Sequence, residues 1–230
     1  MKKRGISFLF ALALALTLAA PAQAAGNDVC RMSGLEYASG QRLQTVPIKV
    51  ADGVALPSYC VPSPWAKADV DAAVAAGLVP ELLQNHYGES ASRAEFCALA
   101  TALYEKERGT ITARSTFSDT QDANVEKMAA LGVVNGVGDG RFDPDGKLTR
   151  EQAATMLARL SAAMGRAIPA QEPAFADGGS IASWARAAVG QMQQSGVMNG
   201  VGGGNFAPGV EYTREQSIVT MLRMLSYLQS

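Results

Sequence analysis

Residues 133–152, "VVNGVGDGRFDPDGKLTREQ", recur without a gap at 197–216 as "VMNGVGGGNFAPGVEYTREQ", with 12 of 20 residues identical. A chain that repeats itself folds as copies of one supersecondary unit, each too small to bury its apolar face alone. That requirement constrains the fold more than any other feature of the sequence. Upstream of the copies stand two Phe-x-Asp triplets, Phe117-Ser118-Asp119 and Phe175-Ala176-Asp177. A more diverged unit precedes both. Its "SPWAKADVDAAVAAGLVP" at 63–80 ends in Ala76-Gly77-Leu78, matching Leu131-Gly132-Val133 and Ser195-Gly196-Val197. Its "SRAEFCALATALY" from Ser92 matches the "TREQ" segments, and "ELLQNHYGESA" replaces the glycine loop.

Each unit therefore reads helix, glycine stop, loop, capped helix. The glycines fall where a helix C-terminus wants a left-handed residue. Ser92 with Glu95, Thr149 with Gln152 and Thr213 with Gln216 have the spacing of a capping box, in which hydroxyl and carboxamide or carboxylate satisfy each other's backbone amides. Apolar residues then recur at helical spacing, as in Phe96, Leu99, Ala100 and Leu103, which predicts helices from Thr149 to about Leu160 and from Thr213 to about Leu225. The fold class is all-α, with units at 62–110, 111–170 and 171–230 packed into one body. Polar or proline-containing linkers fall at 105–116 and 165–174.

Ahead of the units, Lys2, Lys3 and Arg4, an apolar run over 6–20 and Ala22-Gln23-Ala24 predict a secretory signal peptide over 1–24. Without it, 17 basic residues face 21 acidic ones, a balance that gives no basic face for nucleic acid. No later apolar run reaches membrane-spanning length. Export favours disulfides, so Cys30 and Cys60 in the segment 25–61 are expected to pair, with Cys97 a buried small hydrophobe. "TVPIKVADGVALP" reads as a small hairpin around Asp52-Gly53.

The glycine loop invites a calcium reading, but Asp139, Asp143 and Asp145 become Gly203, Ala207 and Gly209 in the second copy. Carboxylates that bound a metal would not be the part that varies, and no metal or cofactor is expected. A phosphate loop would need Gly-Lys-Ser/Thr after the glycines. The glycines, Phe142/Phe206 and Pro144/Pro208 read instead as turns, plugs and corners. The arginines are different. Arg93, Arg150 and Arg214 each take the first helical position, where the helix dipole disfavours a cation. Two uses fit: receiving an anion together with the helix amides, or an internal bridge to a carboxylate such as Asp119 or Asp177.

Phe-x-Asp, the glycine loop, "DGRFDP" and "TRE" together resemble the S-layer homology (SLH) repeat, over roughly residues 62–230. The resemblance implies three tandem repeats forming a three-lobed pseudo-trimer. It implies a non-enzymatic anchoring module at the cell surface, binding cell-wall polysaccharide, commonly a pyruvylated secondary polymer, in grooves between lobes. Carried onto this chain, the ligand-binding residues are Arg93, Arg150 and Arg214, Gly136 and Gly200, and Trp65 and Trp184. The tryptophans suit sugar faces or core anchoring equally. Unit two lacks the tryptophan and unit one lacks the glycine loop, so the grooves are not expected to be equal. Rival readings are a self-associating surface-coat subunit and a wall hydrolase. For the latter, His86 is the only histidine, and it sits beside Glu89 in a loop without metal-ligand spacing.

Overall fold

The computed structural model describes the backbone of residues 29–32 and 46–49 and all of residues 56–230. The expected signal segment and the Asp52-Gly53 turn lie outside the described residues. Two short strands, β1 (Val29–Met32) and β2 (Val46–Lys49), pair antiparallel with Cys30 opposite Ile48. β2 falls inside the expected hairpin segment, but its partner lies upstream.

Six helices make the body: α1 (Lys67–Ala75), α2 (Arg93–Arg108), α3 (Ala123–Ala130), α4 (Arg150–Ala163), α5 (Arg186–Gln194) and α6 (Arg214–Gln229). The helices α2, α4 and α6 each open with a complete capping box, on Ser92, Thr149 and Thr213 respectively. The stops after α1, α3 and α5 place Gly77, Gly132 and Gly196 at φ of 72°, 70° and 70°, the left-handed conformation that ends a helix without a Cβ clash. α2 runs through residues 105–108, which the sequence suggested as linker. Glu105 anchors that last turn by an ion pair to Lys127 at 2.7 Å and by accepting the Ile111 amide at 3.0 Å.

The helices do not pair within their own units. α2 packs on α3, α4 on α5, and α6 returns to α1, so every second helix lies against the first helix of the next unit in cyclic order. Backbone hydrogen bonds trace the same cycle at the residue before each cap. Ala91 N–H donates to Tyr212 O, Tyr212 N–H to Leu148 O, and Leu148 N–H to Ala91 O, at 2.8, 2.8 and 3.2 Å. One apolar cluster runs through all three units, with Phe96, Leu103, Phe142, Leu157, Phe206 and Met224 fully buried. Each such side chain removed from water contributes about 1.5–3 kcal/mol. Cys97 is a free thiol inside this cluster, and burial pushes its pKa well above the ordinary thiol value.

Candidate functional site

The open amides at the start of each second helix decide what the arginines can do. Arg93 and Ala94 N–H donate to Gly146 O and Pro144 O at 2.9 and 3.0 Å. Arg150 and Glu151 N–H donate to Val210 O and Pro208 O, and Arg214 and Glu215 N–H to Glu89 O and Tyr87 O. The third amide goes to the cap side chain. The amides that were to help receive an anion are spent on the neighbouring unit's loop, which corrects the sequence expectation.

The guanidiniums follow the amides. Arg93 Nε and Nη2 donate to Phe142 O and Asn135 O at 2.9 and 2.8 Å, and Arg150 Nε and Nη2 to Phe206 O and Asn199 O at 2.7 and 2.8 Å. Each also lies over the buried phenylalanine of that loop, 4.4 and 4.9 Å from the ring centroid. Burial draws both below the ordinary guanidinium pKa, though a group that starts so high stays charged at neutral pH. Arg214 meets a different loop. Its Nη1 donates to Asn85 O at 2.5 Å and its Nη2 pairs with Glu95 Oε1 at 2.6 Å, while Nε is buried without a partner. That orphan marks the missing Phe carbonyl: the first unit has no glycine loop to supply it.

The expected bridges to Asp119 and Asp177 do not form. Asp119 accepts the Phe142 and Asp143 amides, both at 2.8 Å, and Asp177 the Phe206 and Ala207 amides at 2.8 and 2.7 Å. These backbone hydrogen bonds hold both carboxyls below their ordinary pKa. Phe117 and Phe175 pack tilted against Phe142 and Phe206, with ring centroids 5.2 Å apart in each pair. The Phe-x-Asp triplet is thus a clamp on the glycine loop.

Gly136 and Gly200 shape that loop. A Cβ on Gly136 would stand 2.5 Å from Arg141 O, and one on Gly200 2.6 Å from Asn205 O. Trp65 and Trp184 are 55% and 57% exposed, which removes the core-anchor alternative.

Three of the carried-over residues meet in one place. A groove of about 420 Å³ is lined by Trp65 from the first unit, Arg150 from the second, and Gly200, Val201, Gln216 and Arg223 from the third. Glu215 fixes its wall by accepting the Ser63 N–H and Oγ–H at 2.9 and 2.8 Å, two residues before Trp65. The equivalent Glu151 accepts the Ala182 amide at 3.0 Å, two residues before Trp184. By position in the repeat, the counterparts of Trp65, Arg150 and Gly200 are Trp184, Arg93, which donates to Asn135 O, and Gly136, the residue after Asn135. In the third position of the cycle, Arg214 stands in a larger groove of about 700 Å³ with His86, Glu89, Glu95 and Asp122. In sequence, Thr120 is the residue twelve before the second unit's glycine stop, the place held by Trp65 and Trp184 in the other two units. His86 Nδ1 lies 2.7 Å from Glu89 Oε1, with its ring stacked on Tyr59 at 5.0 Å.

Sequence reasoning missed Glu151 and Glu215 as wall-fixing residues. The signal was available, because both occupy the same place in the two "TREQ" copies. Among the described residues, no three His, Cys, Asp or Glu side chains gather as a metal set, and no helix is long and apolar enough to cross a membrane.

The S-layer homology domain model matches residues 118–154 and 174–216. A cell surface protein of Thermoanaerobacter kivui is 30% identical over 122 residues, covering 50% of this chain and 16% of that protein. An endoglucanase of Bacillus sp. (strain KSM-635) is 29% identical over 142 residues, covering 60% of this chain and 15% of that protein. The chain thus spans less than a fifth of either relative's length.

Proposed function

Because this chain belongs to the S-layer homology family through residues 118–154 and 174–216, we propose that it is a non-enzymatic cell-surface module that holds cell-wall polysaccharide noncovalently in grooves between its units. The observation that carries this reading is the meeting of Trp65, Arg150 and Gly200 in one groove, from three different units. An exposed indole offers an apolar face to a sugar ring. Arg150 Nη1 donates to no acceptor among the described residues, and Arg223, 3.7 Å from Asp69, lines the same groove, so the groove offers a cationic donor to a carboxylate. A pyruvate ketal on a secondary wall polymer supplies that group. The helix pairs α1–α6, α2–α3 and α4–α5 are then the lobes of a three-lobed pseudo-trimer. Its working grooves are those of Trp65 and Trp184.

The endoglucanase activity in one relative's name is not carried to this chain. Its His86 stacks on Tyr59 and bonds Glu89, which suits a latch between the first loop and the segment before α1. Export by the 1–24 segment and the Cys30–Cys60 disulfide belong to the same proposal; Cys60 is 7% exposed at the edge of the body, and Cys97 is the free thiol.

Pelleting with purified cell wall, before and after the secondary polymer is stripped, tests the reading. Trp65→Ala and Trp184→Ala should each weaken pelleting with intact wall by roughly tenfold, since one good contact in a groove contributes about 1–2 kcal/mol. Their melting temperatures should stay at the parent value, because both rings are exposed. Equal pelleting with stripped wall would overturn it. Concentration-dependent assembly without wall would instead favour the self-associating coat subunit.

A further inference from the structure

The third residue of each second helix has one structural task and, we infer, a second one: it sets which groove accepts an anion, and Glu95 closes its own groove with an internal carboxylate. This rests on the wall-binding reading above. Glu95, Gln152 and Gln216 are equivalent, and each completes a capping box with one side-chain oxygen. Glu95 Oε2 accepts the Ser92 amide at 3.0 Å, Gln152 Oε1 the Thr149 amide at 3.1 Å, and Gln216 Oε1 the Thr213 amide at 3.2 Å. Those bonds also fix which end of each carboxamide is nitrogen.

The remaining terminal atom differs between Glu95 and the two glutamines. In the first unit it is an acceptor, Glu95 Oε1, 2.6 Å from Arg214 Nη2. In the Trp65 groove, whose cavity Gln216 and Arg150 both line, it is a donor, Gln216 Nε2, bonded to no acceptor among the described residues. An amide N–H beside a guanidinium with an open Nη1 makes two donors that converge on an anion. A carboxylate in the same place already pairs with the arginine's charge and repels a second carboxylate. Glutamate and glutamine therefore serve the cap equally and the groove oppositely. The change accompanies the other losses of that groove, which has Thr120 at the tryptophan position and no glycine loop.

The swap tests this without disturbing the cap, since both residues already serve it in this chain. The full chain, labelled with ¹⁵N-arginine, is titrated with a monosaccharide pyruvate ketal and, as control, the same sugar without the ketal. In the parent, the Arg93 and Arg150 side-chain resonances should shift and those of Arg214 should not. Gln216→Glu should silence Arg150 and lower the affinity of that groove roughly tenfold or more, leaving Arg93 responsive. Glu95→Gln should make Arg214 respond to the ketal. An unchanged Arg150 response in Gln216→Glu, an Arg214 response in the parent, or a silent Arg214 in Glu95→Gln overturns the inference alone. No ketal-dependent shift at any of the three arginines overturns the wall-anion reading, and this inference with it.

Discussion

Asp119 and Asp177 each hold two successive amides of a loop, the second of them that of Asp143 or Ala207, which sits at a φ of 61° or 58°. An L-residue in that region is strained, and the carboxylate's two hydrogen bonds compensate. Those bonds favour the charged form, so the folded pKa lies below the unfolded value of about 3.9. Their contribution is therefore complete above about pH 5 and is lost as pH falls through about 4 and below. Melting temperature measured from pH 7 to pH 3 should fall steeply at the acid end, and Asp119→Asn with Asp177→Asn should flatten that fall while lowering the plateau. Superimposable curves for parent and double variant would mean the clamp has no energetic role. Arg214 makes the complementary case. It is buried, and its removal leaves Glu95 facing a cavity, so Arg214→Ala should cost about 2–3 kcal/mol, the lower end for breaking a buried pair because Glu95 keeps some solvent contact. A denaturation midpoint within error of the parent would show that the pair is solvated away.

Among the elements, α5 carries the tightest steric demand. A Cβ on Gly190 would stand 1.8 Å from Gln171 O and 2.6 Å from Gln171 C, so the helix can approach the 165–174 linker only through a glycine. Gly190→Ala must displace that linker and should cost about 1–3 kcal/mol or more by overpacking, read as a lowered urea midpoint. A midpoint equal to the parent's would show that the linker yields freely. Nothing in the sequence flagged Gly190, because the clash comes from the fold and not from the helix itself. The same division runs through the other elements. The capping boxes at Ser92, Thr149 and Thr213 and the stops at Gly77, Gly132 and Gly196 were legible, since each is completed within a few residues. The arginines were half legible. Dipole reasoning singled out Arg93, Arg150 and Arg214 correctly but treated each helix end as open, whereas the next unit's loop carbonyls already fill it. The partner of each helix was not legible at all, because an apolar stripe says how much must be buried and not against which unit.

For the whole molecule, the decisive fact is that the first and last units touch. In an open array each terminal repeat has one neighbour and can be removed at modest cost. Here α6 packs on α1, Arg214 reaches Asn85, and Ser63 reaches Glu215, so the units share their helix pairs around a cycle. Removing residues 171–230 would strip α1 of α6 and α4 of α5 together. It would also remove Tyr212 from the central trio of backbone hydrogen bonds. Two of the three helix pairs would then expose core faces such as Val70 and Leu157, now 1% and 0% exposed. A chain ending at residue 170 should therefore show helical circular dichroism without a cooperative melt. The full chain should melt in one transition, with van't Hoff and calorimetric enthalpies in a ratio of about one. Independent units would give a ratio of about one third and a truncated chain that still melts sharply. That pair of results would mean that the cyclic contacts are geometry without coupling, and that each groove is held by its own unit alone.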